Sequence, residues 1–101
     1  MGLRIYVRVK NVGDVPVVFY LKAFVEGGIG TFQSQPSEAI RLNKGEEKSI
    51  PVHMDIPVVA GKYRILVIVY DKLTNQELAR ASGEAEFVGK VSVAIERVEV
   101  I

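Results

Sequence analysis

Apolar and polar residues alternate with period two along most of the chain. In residues 3–10, Leu3, Ile5, Val7 and Val9 share one face, and Arg4, Tyr6, Arg8 and Lys10 share the other. That spacing predicts a half-buried strand with a polar outside. Residues 17–26 repeat the pattern, with Val17, Phe19, Leu21, Ala23 and Val25 on one face. Residues 31–42 are less regular, although Ile40 and Leu42 alternate around Arg41. In residues 48–57, Ile50, Val52, Met54 and Ile56 face one way, and Ser49, Pro51, His53 and Asp55 the other. Pro51 and Pro57 cannot donate to a ladder, which predicts a strand at a sheet edge. The run KYRILVIVYD, residues 62–71, is apolar on both faces, as a central strand would be.

Two later segments need more care. Residues 78–87, LARASGEAEF, contain enough alanine for a helix. As a strand they place Ala79, Ala81, Gly83, Ala85 and Phe87 on a small-residue face opposite Arg80, Ser82, Glu84 and Glu86. Gly83 and this period favour the strand. Residues 90–101 alternate through Val91, Val93 and Ile95, slip at Glu96–Arg97 and resume at Val98 and Val100. One slip in an alternating run is the signature of a β-bulge. Turn signals recur about every ten residues, so the chain reads as an all-β sandwich or barrel.

The 101 residues suit a single domain spanning residues 1–101. Hydrophobic residues at 49% and charged residues at 25% are a globular mix that can bury a core. The absence of cysteine excludes disulfides, zinc–thiolate sites and a thiol nucleophile. A net charge of +1 gives no reason to expect nucleic acid or an anionic membrane as partner. The longest apolar run, ILVIVY at residues 65–70, is far short of the roughly 18 residues that suggest a membrane span. The opening MGLRIYV lacks the apolar region of a signal peptide, so export would make this chain a piece of a larger protein.

Three stretches carry a family pattern: YVRVKNVGDVPVVFYLKAFVEG, IRLNKGEEKSIPVHM and AGKYRILVIVYD. They contain a strand ending in Asn11-x-Gly13, a turn with Leu42, Gly45 and Glu46, and a late strand with Gly61, Tyr63 and Asp71. Over residues 3–71 the chain resembles the immunoglobulin-like accessory domains of prokaryotic surface proteins, in particular the cell-adhesion-related domain of bacteria and archaea. The resemblance implies an immunoglobulin-like β-sandwich of about seven or eight strands, an extracellular or cell-surface location, and neighbouring protein domains or subunits as partners. These residues also have plain physical roles. Asn11 can bond its own backbone two residues on, and Gly13 and Gly45 supply positive φ. Tyr63 sits where a tyrosine corner would. The chain departs from the family at both ends. Its first strand matches the family's second, and residues 90–101 are additional. They either fill the vacant place beside residues 3–10 or begin a following repeat.

The candidate chemistry is sparse. Asn11 and Asp14 bring oxygens to the first corner, but two ligands without an acidic cluster do not make a calcium site, and the corner is expected only to turn the chain. His53 is the only histidine, with Asp55 on the same face and no nucleophile elbow in the sequence. Asp71, Asn75 and Glu77 share one loop without the spacing of a calcium loop; were a metal to bind, this loop would be its place. The glycines of residues 26–32 lack the lysine and the helix of a phosphate loop. Arg4, Tyr6, Arg8 and Lys10 form a basic stripe that Glu26, Glu96 and Glu99 are expected to neutralise from neighbouring strands. Tyr20 and Phe24 fall on the outward face of their strand and, with Tyr6 and Ile29, make up the candidate contact surface.

The expectation is therefore a non-catalytic structural or adhesion module, with no cofactor, no metal, no nucleic acid and no membrane insertion. Two alternatives stand beside it. One is a small glycan- or peptide-binding domain using Tyr6, Tyr20 and Phe24 or the Gly27–Gly30 loop. The other is the accessory domain of an enzyme whose catalytic unit lies outside this chain. An unprotected edge strand would also allow a homodimer.

Overall fold

The structure is a computed structural model that describes residues 2–27, 30–55, 61–87 and 91–100. The described residues form eight strands and no helix. These are β1 (Gly2–Asn11), β2 (Val17–Gly27), β3 (Gly30–Gln33), β4 (Ile40–Leu42), β5 (Glu47–Asp55), β6 (Gly61–Asp71), β7 (Glu77–Phe87) and β8 (Val91–Val100). They build two sheets. In the three-stranded sheet, β1 lies between antiparallel β5 and parallel β8. In the five-stranded sheet, β6 lies between β2 and β7, and β3 and β4 share the far side of β2.

The alternation in the sequence becomes the inside and outside of the sandwich. Ile5, Val7 and Val9 of β1 and Ile50, Val52 and Met54 of β5 meet Phe19, Leu21 and Val25 of β2 and Ile65, Val67 and Val69 of β6 in one core. Fully burying a side chain such as Phe19 or Leu21 contributes about 1.5–3 kcal/mol each. Among the described residues, β7 adds Leu78, Ala79 and Ala81 to this core, partly buried against it. Its small-residue face lets the sheets approach on the side where β7 comes near β8.

β5 is an edge strand, as Pro51 predicts; Pro57 lies outside the described residues. β6 is central, and Ile68 on its outer side is 8% exposed. β8 occupies the place beside β1, so Val91–Val100 do not leave the sandwich for a following repeat. The slip at Glu96–Arg97 is a bulge: Val7 pairs with Ile95 and Val9 with Val98, leaving Glu96 and Arg97 opposite Arg8.

The parallel pairing of β1 and β8 has a geometric consequence. Val100 lies beside Asn11, at the end of the sandwich that also holds the β1–β2 corner, the β4–β5 turn and the β6–β7 turn. Gly2 lies at the opposite end, beside Asp55.

Candidate functional site

The corner at Asn11 is structural. Asn11 is fully buried at the end of β1. Its Nδ2 donates to the carbonyls of Val15 (2.8 Å) and Leu42 (3.1 Å), and its Oδ1 accepts from the Gly13 N–H (2.9 Å). Its backbone N–H donates to Glu46 O, and its own carbonyl accepts from Gly45 N–H. Every polar atom of this side chain is thus spent on joining the first corner to the β4–β5 turn. Asp14 points into solvent and pairs with Lys44. One expectation needs correcting. Gly13 does not adopt positive φ, whereas Gly45 does, at 76°. The Asx turn made by Asn11 already bends the chain with Gly13 in an ordinary conformation.

The β6–β7 turn uses its oxygens in the same way. Asp71 Oδ1 accepts from Leu73 N–H, and Asn75, at φ 59°, offers Oδ1 to the Tyr20 hydroxyl at 3.0 Å. Glu77 binds Arg80 through both carboxylate oxygens, with the Nε contact at 2.9 Å. The Arg80 hydrogen bond holds the Glu77 carboxyl below its ordinary range, and Glu77 in turn raises the Arg80 guanidinium. Among the described residues no three His, Asp or Glu side chains converge as metal ligands. His53 is exposed on β5, opposite Arg4.

Tyr6, Tyr20 and Phe24, expected with Ile29 to form one contact surface, do not lie together. Tyr20 and Phe24 share the outer face of the five-stranded sheet. Tyr6, 36% exposed, points outward from the three-stranded sheet on the other side of the sandwich. Ile29 lies outside the described residues. Glu26 belongs to the five-stranded sheet and cannot neutralise the basic stripe on β1. Arg8 instead pairs with Glu47 at 3.6 Å, and Glu99 stands in register with Lys10. Strand period assigns faces within one strand; which strands become neighbours is a matter of topology.

The outer face of the five-stranded sheet also holds residues that the sequence did not single out. Tyr70 stands opposite Tyr20, with ring centroids 5.3 Å apart and planes 19° from parallel. The Lys72 ammonium lies 5.9 Å above the Tyr20 ring. Leu66 stands beside Phe24, and Ile68, 8% exposed, lies in register between Lys22 and Arg80. Tyr20, Tyr70, Leu66 and Phe24 remain half-buried, so the face is a shielded aromatic strip.

A recess lies elsewhere, in the seam between β4 and β5, where the two sheets part. It is a groove of about 600 Å³ with Ile40, Ile50 and Pro51 as its apolar lining. Arg41, Lys48 and Glu38 stand on its rim. This groove was not legible in the sequence, because its two walls lie on strands that belong to different sheets. No protein-family model, no curated protein and no solved structure matches this chain.

Proposed function

We propose that this chain is a non-catalytic, immunoglobulin-like module of a larger cell-surface or secreted protein, serving a structural or adhesive role. The observation that carries this reading is the parallel pairing of β1 with β8. The strands enter at one end and finish at the other of a body 43 Å long and 22 Å wide. That arrangement suits a unit joined in series, with neighbours at both ends. Val12, Val15 and Leu73 are 43%, 69% and 89% exposed at the end where β8 finishes, a concentration of apolar side chains suited to a neighbouring domain. The polar groups that might have served chemistry, at Asn11, Asp71, Asn75 and Glu77, are engaged in holding turns.

A glycan- or peptide-binding role is the second reading, favoured by the stacked Tyr20–Tyr70 pair on an outer sheet face. The test of the first reading is protease shaving of intact cells of the source organism, with mass spectrometry of the released peptides. Release of peptides from this chain before lysis is the expected result. Recovery only after lysis would overturn the surface assignment.

A further inference from the structure

We infer that the groove between β4 and β5 is a docking site for an extended peptide that carries an acidic side chain two residues from an aliphatic one. The proposal stands on the groove itself and is independent of where the protein resides.

The backbone of β5 is the first part of the argument. Asn11 N–H donates to Glu46 O across the β1–β5 pair, and the register runs unbroken from Lys10–Glu47 to Gly2–Asp55. Antiparallel pairs alternate between bonded and unbonded positions. Val9, Val7 and Ile5 therefore exchange hydrogen bonds with Lys48, Ile50 and Val52. Ser49, Pro51 and His53 turn their backbone groups the other way, to the free edge. At the groove that edge offers the Ser49 N–H and the carbonyls of Ser49 and Pro51. These are the groups an added strand needs.

Pro51 then decides which strand can be added. Two copies of β5 paired about a two-fold axis through residue 51 would bring proline opposite proline, and both donors would be missing. Any other in-phase pairing of two copies meets the same missing donor twice, once on each chain. A foreign peptide that pairs at Ser49 meets it once at most. The edge is guarded against itself and open to others.

Charge gives the partner's chemistry. Arg41 and Lys48 stand on the rim, and among the described residues neither has a carboxylate within 4 Å; the ion pairs there are Arg8–Glu47, Lys44–Asp14 and Arg80–Glu77. Arg41 has only a long contact, 3.4 Å, to Asn43 Oδ1. Lys48 shares the core-facing side of β5 with Ile50, yet it is exposed, because the sheets part at this point. Glu38 is the single acid on the rim, so two cations face one carboxylate. An incoming acidic side chain meets Arg41 and Lys48, while an aliphatic side chain two residues along, on the same face of the added strand, reaches Ile40 and Ile50.

The test is a ¹⁵N-edited NMR titration of the full chain with the peptide acetyl-Val-Thr-Glu-Thr-Val-amide, whose acid and two valines share one face when extended. Saturable shifts at the amides of Ile40, Arg41, Lys48 and Ser49 are expected. Replacing Glu by Lys in the peptide should weaken binding by about tenfold or more. The variant Arg41→Glu/Lys48→Glu should weaken the acidic peptide by a similar factor, with the β6 and β7 amides unmoved to show that the fold is kept. N-methylation of the peptide should also weaken it, because strand addition needs its N–H groups. No shift at these amides, shifts confined to the Tyr20–Tyr70 face, or equal binding of the N-methylated peptide would overturn the proposal. Equal binding of hexanoate would also overturn it, since the groove would then be a pocket for small carboxylates.

Discussion

The ring of Tyr63 fills the space that a side chain at Gly27 would need. A Cβ placed on Gly27 would overlap the Cδ1 and Cε1 atoms of that ring. Tyr63 is buried at the head of β6, and Gly27 is the last residue of β2, one position beyond the Glu26–Arg64 pair. The glycine at the end of this strand is thus a packing requirement imposed by its cross-strand neighbour.

Gly27→Ala is therefore expected to destabilise the fold by about 1–3 kcal/mol, the range for forcing an extra carbon into a packed site. Tyr63→Leu makes room at the cost of its own buried ring. The double variant Gly27→Ala/Tyr63→Leu should lose less than the sum of the two single losses. Urea unfolding of the four proteins measures the coupling, and simple additivity would mean that the two residues do not compete for space.

Asn11 ties two corners together through three side-chain hydrogen bonds. Asn11→Ala leaves the Leu42 carbonyl buried without its partner and should cost about 1–3 kcal/mol. Asn11→Asp should cost more at neutral pH, because a buried carboxylate would face two carbonyls that it cannot serve. Chemical denaturation of both variants gives the order. If Asp proves the milder change, the donor role of Nδ2 is wrong.

Ser34 and Ser37 replace a strand along β2. Ser34 gives its N–H to the Ala23 carbonyl and accepts the Ala23 N–H at Oγ, both at 2.8 Å. Ser37 does the same for Leu21, at 2.9 Å and 2.8 Å. Each serine satisfies one residue of β2 by itself, which bridges the gap between β3 and β4. Ser34→Ala should speed hydrogen exchange at the Ala23 amide, and Ser37→Ala at the Leu21 amide. The effect should be larger for Ser34, which is 6% exposed. Unchanged exchange at both amides would mean that water replaces these hydroxyls at no cost.

The Glu77–Arg80 pair predicts a pH effect of known sign. Glu77 titrates below its ordinary value because Arg80 bonds its charged form. Its contribution to stability is present above the unfolded pKa and is lost as pH falls through the folded one. Both groups are exposed, so the contribution is small. Carboxyl NMR should place Glu77 below the usual glutamate range, and Arg80→Ala should return it to that range. A Glu77 titration that ignores Arg80 would show that the pair is not formed in solution.

The legibility of this fold follows from what each feature depends on. The inward faces of β1, β2 and β5 could be read from period two, because the side-chain alternation of a strand is a local property of its backbone. β7 shows this well: Ala79 and Ala81 turn to the core and Arg80 and Ser82 to solvent, despite a composition that suits a helix. The bulge at Glu96–Arg97 and the edge position of Pro51 were legible for the same reason, one as a slip in the period and the other as a missing donor. The two serines were not legible as a strand substitute. Ser34-x-x-Ser37 resembles any polar loop until Leu21 and Ala23 stand beside it, and the spacing around Pro36 was the one signal available.

What the sequence determined by itself was therefore the six long strands, the inward faces of β1, β2 and β5, and most of the residues that turn the chain. Tertiary structure decided the neighbours. It set Tyr6 and Tyr20 on opposite outer faces, stacked Tyr70 on Tyr20, moved Glu26 away from the basic stripe, and opened the seam between Arg41 and Lys48. Alternation depends on bonds within one strand, whereas a surface depends on which strands the core brings together. A period of two carries no information about that second choice.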